Sequence, residues 1–480
     1  MIGLNWNSAM RASRGASKLA MATCGFLFSH ALFAQGLGME PVPTAELRTA
    51  DYVNKVQSDE SAVAQVMSFA EILELALANN PDINMALSRE EQAGYLVKQG
   101  KAYRYGEVDV IGQYGPEFNT PSSNTDVLED TTPGRNFTLR MTKLLYDGGV
   151  AKSEYRRRKE VQNASRVETR IVTEDVVSDT VTFYSDVLRF QNARRVAQSF
   201  IDEMQELTRK LGLMYEAGAA SKVELDFARA RLASARAETG NTVASLNDAL
   251  SNLEFLTGDL PEFIAIPPFE LADIDLVNLD QYLERAYRDN SGIMLNRVNR
   301  GAEHFRVKAE GAKFYPQFDL ELKSNLIADE GGHNETRGNY EVKLNVNYQL
   351  FDGFSRRAGL NRAKARLNEL EYQETGLLKQ LDRSIKLSFN QINATNITLN
   401  ATRDEIASNK ELQRLNRKNL ELGEINIIEL IDVEERLFNA EADAYRLKSE
   451  MYRNYFELMI DSGRVAELMQ VTQGQLFSAP

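Results

Sequence analysis

The chain contains one unit twice, and the spacing of the two copies limits what it can fold into. Phe69-Ala70-Glu71-Ile72-Leu73-Glu74-Leu75-Ala76 aligns with Leu279-Asp280-Gln281-Tyr282-Leu283-Glu284-Arg285-Ala286 at an offset of 210. Asn80 then meets Asn290, and Val97-Lys98 meets Val307-Lys308. Leu145-Tyr146-Asp147-Gly148 aligns with Leu350-Phe351-Asp352-Gly353 at an offset of 205. That offset holds for Gly218 with Gly423, Val223-Glu224-Leu225 with Ile428-Glu429-Leu430, Arg231-Leu232 with Arg436-Leu437, and Gly258 with Gly463. Self-similarity at a fixed spacing is the signature of a duplicated unit. The five-residue change in offset falls between 98 and 145, and the next hundred residues need no gap. Continuous helix resists insertion in this way, because one extra residue turns every later side chain by about 100°.

Each copy has the same order. An amphipathic stretch of about 35 residues (69–103; 279–313) comes first, then two alternating segments around a polar loop. A corner follows, Asp147-Gly148-Gly149 or Asp352-Gly353-Phe354. A breaker-poor stretch then runs to Tyr215 or Leu422, where Gly218 or Gly423 acts as helix C-cap, and a further helix occupies 222–256 or 428–461. Only 29 Gly and 11 Pro occur among 480 residues, which suits long helices. At about 1.5 Å per residue the long helix spans roughly 95–100 Å and each shorter one roughly 50 Å. Two short helices end to end therefore match one long helix, as in a tube wall. Leu367, Leu370, Leu377, Leu378, Leu381 and Ile385 recur at coiled-coil spacings, which a spectrin-like rod of separate hairpins would also show.

The alternating segments favour the tube. In 339–351, Tyr340, Val342, Leu344, Val346, Tyr348 and Leu350 share one face, and Glu341, Lys343, Asn345, Asn347 and Gln349 the other. In 317–323, Phe318, Leu320 and Leu322 oppose Gln317, Asp319, Glu321 and Lys323. The first copy is weaker: Phe137, Leu139 and Met141 alternate with Thr138, Arg140 and Thr142, and Val108, Val110 and Tyr114 with Glu107, Asp109 and Gln113. A tilted strand of about 9–11 residues crosses a bilayer when its apolar face meets lipid and its polar face lines water. A soluble half-buried sheet shows the same alternation. Aromatics at the segment ends (Tyr103, Tyr105, Tyr146, Phe314, Tyr315, Tyr348, Phe351) suit interfacial girdles.

Residues 1–34 read as an export signal. Arg11, Arg14 and Lys18 precede an apolar run from Leu19 to Phe33, with cleavage after Ala31 or Ala34. Cys24 lies inside that run rather than after it, unlike a lipoprotein cysteine. No other window approaches the roughly 18 apolar residues of a membrane helix. One Cys and three His exclude a Cys/His zinc site and an intrachain disulfide. The net charge of −13 argues against a nucleic-acid partner. No catalytic or cofactor constellation stands out, so neither an enzyme nor a cofactor is expected. A soluble periplasmic coiled-coil scaffold is the competing reading.

Four strands cannot close a barrel, and an open edge in lipid leaves backbone groups unpaired. Two chains give eight strands with a filled interior; three give twelve, wide enough for a water lumen. The polar loops 115–134 and 326–338 would then face outside. The expected division is a signal at 1–34, a poorly structured segment at 35–67, copies at 68–258 and 279–463, an equatorial linker at 259–278, and a tail at 464–480.

The ordered set resembles the TolC-type outer-membrane channel family over about residues 68–463. It rests on the duplicated helix–hairpin–helix–helix unit, the Leu145-Tyr146-Asp147-Gly148-Gly149 corner with its partner Leu350-Phe351-Asp352-Gly353, and the Gly218 and Gly423 turns. The resemblance implies a mainly α chain whose trimer forms a twelve-stranded transmembrane β-barrel, continued by an α-helical coiled-coil tunnel in the periplasm. It further implies a periplasmic adaptor (membrane fusion) protein and an inner-membrane ABC or other pump as partners. It places Glu224, Glu429 and Asp432 at a periplasmic gate, as acidic rings whose carboxylates raise one another's pKa. Tyr215, Gly218, Leu422 and Gly423 fall at the hairpin tips that meet the adaptor, and Asp147, Gly148, Asp352 and Gly353 at the barrel-to-helix corners. Some members carry an Arg two residues after the second turn glycine; this chain has Ile425. The expected cargo is a secreted, adhesin-like protein, with multidrug efflux as the alternative.

Overall fold

The computed structural model describes residues 66–118, 131–258, 263–264, 278–328, 336–422 and 426–465. The signal, most of the 35–67 segment and of the linker, the strand loops, Gly423 to Ile425 and the tail from 466 lie outside the described residues. The first copy comprises α1 (Phe69–Asn79), α2 (Pro81–Lys101), β2 (Glu107–Phe118), β3 (Thr131–Tyr146), α3 (Val150–Glu216) and α4 (Lys222–Thr257). The second comprises α5 (Leu279–Asp289), α6 (Ser291–Ala312), β5 (Gln317–Ala328), β6 (Thr336–Asn347), α7 (Ser355–Glu421) and α8 (Ile427–Asp461). The two-residue strands β1 (Val66–Met67) and β4 (Phe263–Ile264) pair in parallel, so the 35–67 segment ends in structure.

The two long helices both have 67 residues and start 205 positions apart. The strand loops leave 12 residues (119–130) and 7 (329–335), and this difference of five is the whole change in offset. Both loops are shorter than the sequence suggested, because β2 and β5 continue to Phe118 and Ala328.

The 35-residue amphipathic stretch is not one helix. Asn80 ends α1 and caps α2: its backbone is extended, and its Oδ1 accepts from Asp82 N (2.8 Å) and Ile83 N (3.4 Å), with Pro81 next. Asn290 does the same between α5 and α6, accepting from Ile293 N at 3.2 Å. An Asn side chain that caps the next helix competes with continuation of the last one, and proline removes the donor the helix would need.

The wall is one helix thick. α2 and α4 both pack along α3, α6 and α8 fill the space between α3 and α7, and α7 closes the far side. At the equator α1 lies on α3 and α4, and α5 on α7 and α6. One apolar cluster joins Phe69, Ile72 and Leu73 of α1 to Val177, Val181 and Tyr184 of α3 and Leu250 and Leu253 of α4. A second joins Tyr282 and Ala286 of α5 to Leu381, Ile385 and Ile392 of α7 and Leu447, Met451 and Leu458 of α8.

The strands form one antiparallel sheet ordered β2-β3-β5-β6. Opposed residues in such a sheet share a face. Val108–Met141–Leu322–Val342 and Val110–Leu139–Ser324–Tyr340 are rows of one face. Glu107–Thr142–Glu321–Lys343 and Asp109–Arg140–Lys323–Glu341 are rows of the other. One apolar and one charged face therefore run across all four strands, which extends the alternation to the weaker first copy. Arg135 and Lys143 stand at the two ends of the apolar face, separated by roughly 26 Å of strand. On the charged face Lys343 bonds Glu341, and Asn345 Nδ2 donates to Glu321 at 3.2 Å. Tyr348 and Gln349, expected in the strand, lie past its end. β5 begins at Gln317, which pairs with Asn347, so nothing stands opposite them. The Gln349 carbonyl instead accepts from Arg356 Nη2 at 2.5 Å.

Candidate functional site at the helical hairpin tips

Each corner starts a long helix through an aspartate. Asp147 Oδ1 accepts from Gly149 N (2.9 Å) and Oδ2 from Ala151 N (2.5 Å). Asp352 Oδ2 accepts from Arg356 N (2.9 Å) and Arg356 Nε (2.8 Å), which holds its carboxyl below the usual range. A carboxylate at this end also suits the helix dipole. Gly148 and Gly353 are left-handed, at φ 68° and 63°.

The long helices carry the chain to the tips. α3 ends at Glu216, and Gly218 (φ 74°) turns the backbone, with Ala219 N donating to Met214 O at 2.8 Å. Ser221 and Glu224 then form a reciprocal cap on α4. Ser221 N donates to Glu224 Oε2 at 2.6 Å, and Glu224 N to Ser221 Oγ at 3.2 Å. On the second tip Asn426 Oδ1 accepts from Ile428 N at 3.0 Å, and its Nδ2 donates to Glu224 Oε1 at 2.7 Å. One carboxylate thus caps its own helix and ties the two tips together.

Within one chain the Ser221 backbone amide, the Ser221 hydroxyl and the Asn426 amide hold the Glu224 carboxyl below the usual range. Glu429 is exposed and Asp432 half-buried, on the first turns of α8. Neither carboxylate bonds to a described residue. Their i,i+3 spacing places them on one side of the helix. Tyr215 and Leu422 are exposed at the tips beside Leu213, Met214 and Val223, an apolar patch at the far end from the sheet. Gly423 falls outside the described residues.

About two turns behind Glu224 lies a cluster that sequence reasoning did not single out. Arg417 of α7 reaches Glu203 of α3 (2.7 Å) and Glu434 of α8 (3.1 Å). Gln413 Nε2 donates to both Glu434 oxygens at 2.7 Å. Glu434 is buried, and burial pushes its carboxyl up. Arg231 of α4 reaches Glu435 of α8 at 2.9 Å. Beside them Ile201, Met204, Leu207 and Leu211 of α3 pack with Leu225 and Ala228 of α4 and Ile427, Leu430 and Ile431 of α8. The signal for Glu434 was available: Ile427, Leu430, Ile431 and Leu437 make an apolar stripe, and Glu434 interrupts it. The Ser-x-x-Glu spacing of 221–224 was a second unread signal.

A helical wall one layer thick, topped by a sheet with one apolar and one charged face, defines a membrane-anchored duct of the TolC type. The outer membrane efflux protein family matches residues 72–259 and 285–460, one span in each copy, and the chain belongs to that family, whose place is the outer membrane. The chain is 22% identical over 415 residues to the alkaline protease secretion protein AprF of Pseudomonas aeruginosa, covering 82% of this chain and 84% of the relative. It is 20% identical over 435 residues to the proteases secretion protein PrtF of Dickeya chrysanthemi, covering 88% and 93%. Its fold matches the crystal structure of the outer membrane protein VceC from Vibrio cholerae with a TM-score of 0.71 at 18% identity, over 82% of this chain and 96% of that one.

Proposed function

We propose that three copies of this chain form the exit duct of a tripartite export system whose cargo is protein. Unpaired strand edges carry the assembly half of the reading. β2 and β6 each have one neighbour, and bare edges in lipid cost several kcal/mol per unpaired group. Twelve strands remove every edge and leave a lumen lined by the charged face. The wall has matching open sides: α7 exposes Tyr372, Leu387 and Ile397, and α2 exposes Met85, Leu87, Tyr95 and Leu96. The apolar tips, with Tyr215 and Leu422, take a helical adaptor in contact with an inner-membrane pump. Glu429 and Asp432, repeated around the threefold, form the acidic aperture. The duct performs no chemistry of its own.

The cargo class is supported by the two relatives named above, both described as protease secretion proteins. The family's own description, efflux, supports the second reading, small-molecule export. Deleting the gene in its host separates them. Loss of one or a few large proteins from the medium, with drug susceptibility unchanged, is the expected result. Sensitisation to drugs and dyes with an unchanged set of secreted proteins assigns the duct to efflux.

A further inference from the structure

Below the sheet, the acidic chain turns basic. Within their first dozen residues α3 carries Lys152, Arg156, Arg157, Arg158 and Lys159, and α7 carries Arg356, Arg357, Arg362, Lys364 and Arg366. Neither helix has an acid in its first turn. Cations at a helix N-terminus oppose the macrodipole, and the capping carboxylates of Asp147 and Asp352 offset only part of this charge. Some of these residues have partners: Arg157 and Arg158 bond Glu154, Arg356 bonds Asp352, and Arg366 bonds Glu369. Lys152, Lys159, Arg357 and Lys364 are exposed and make no ion pair with any described residue. They are two matched pairs at the 205 offset, Lys152 with Arg357 and Lys159 with Lys364.

Their direction follows from helix geometry. Asp382 lies 18 residues beyond Lys364 and 25 beyond Arg357, close to five and seven whole turns, so the three share one side of α7. Asp382 accepts from Tyr287 of α5 at 3.2 Å, which shows that this is the side on which α5 lies. In the first copy the matching position is Val177, buried in the cluster with Phe69 and Ile72 of α1. The α1 and α5 side is the outside of the wall, because an extra helical layer inside would fill the tunnel.

A neighbouring copy does not neutralise these charges. Arg158 bonds the Leu96 carbonyl, and Arg166 meets Glu90, which fixes the level of α2 against α3. The second copy keeps that level, as Arg300 meets Glu374. With α7 set beside the next copy's α2 at the same height, Arg362 and Lys364 stand level with Lys98 and Lys101, while Glu90 and Glu91 sit lower, near the level of Glu369 and Glu371. Above the basic residues lie the exposed rings of Tyr105, Tyr146, Tyr315, Phe351 and Phe354, an interfacial girdle.

We propose that Lys152, Lys159, Arg357 and Lys364 form a collar around the outside of the tunnel that takes the phosphate headgroups of anionic phospholipid in the periplasmic leaflet. Lys152 and Arg357 stand roughly 3 Å below the start of their helices, at headgroup level, and Lys159 and Lys364 about 10 Å lower. Long basic side chains reach up to such a surface with their stems along the protein. The collar rests on the barrel lying in the outer membrane and is independent of the cargo.

The test titrates the delipidated full-length oligomer with phosphatidylglycerol or phosphatidylcholine and counts retained lipids by native mass spectrometry. The expected result is a preference of roughly tenfold or more for phosphatidylglycerol. It is lost in K152Q/K159Q/R357Q/K364Q, partly lost in K159Q/K364Q, and kept in the charge-preserving K152R/K159R/R357K/K364R. An unchanged preference in the quadruple glutamine variant overturns the collar. So does a monomeric quadruple variant, which moves these residues to contacts between copies. An altered cation-to-anion permeability ratio in planar bilayers overturns it too, by moving them to the lumen.

Discussion

The two copies of the unit agree in length and differ in how they are fastened. Their helices and strands start at matching positions and the Asn80 and Asn290 caps correspond, yet several other polar contacts in the wall are not shared. Glu174, buried in α3 and bonded by Arg170 and Ser291, corresponds to Lys379. Asp461, bonded by Ser384, corresponds to Leu256. Arg417 and Glu434 correspond to Gly212 and Arg229. Even the corners differ. Gly149 is the left-handed residue before α3, whereas Phe354 takes that place before α7 and is the one non-glycine at positive φ among the described residues. Length and apolar spacing are what a wall needs to stay in register. Polar fastenings answer only to whichever helix lies alongside, so each copy has its own.

The corners give the sharpest contrast. A Cβ on Gly148 lies 2.5 Å from the Ala312 carbonyl oxygen and 2.8 Å from Tyr315 Cβ, while one on Gly353 meets nothing within 4 Å. Gly148→Ala should cost about 3 kcal/mol or more, and Gly353→Ala only the left-handed penalty of about 1 kcal/mol. Thermal unfolding of the purified oligomer reads both. Equal losses would show that the corners are packed alike.

A smaller effect is expected at the fastening found only in the second copy. Arg417→Met leaves Glu434 buried without its cation, at a cost of about 1–2 kcal/mol given the half-exposed arginine. The tips should loosen and single-channel conductance rise. Adding Glu434→Met should restore both stability and conductance. A double variant no better than the single one would mean that the pair does not act as a unit.

Smaller again is a pH effect at Asp461, whose carboxyl burial pushes up. Its folded pKa exceeds its unfolded one, so its contribution is fully present below the ordinary carboxylate range and is lost as pH rises through the folded value. The thermal midpoint of Asp461→Asn should therefore fall less between pH 4 and pH 8 than that of the native chain. Parallel profiles would place this carboxylate in water. The least effect belongs to Phe354→Gly, which removes left-handed strain worth about 1 kcal/mol and also the ring packed edge-on against Phe351. A midpoint that falls would mean the ring contributes more than the backbone loses.

Much of this architecture was legible because it is periodic. The offsets of 210 and 205 mark the helices, the strands and the loop that differs in length. Alternation in 339–347 gives the face of every strand once the register is known. Breaks and cross-links were harder to read. Asn80-Pro81 is a visible stop, but an amphipathic pattern continues across it. Glu224 reads as one acid among many until Asn426 is brought to it from 202 positions away. The Arg417 cluster draws on three helices, and no local pattern joins them. The end of the β6 ladder at Asn347 depends on where its neighbour begins.

The equal length of the two 67-residue helices makes the wall a yardstick. Each sets the depth at which its hairpin turns, roughly 100 Å from the corner. Lengthening one by a heptad would push its turn about 10 Å past its twin and part Glu224 from Asn426. The reach of this duct can therefore change only in paired, whole-turn increments, and any partner below it has to meet two ends at one altitude.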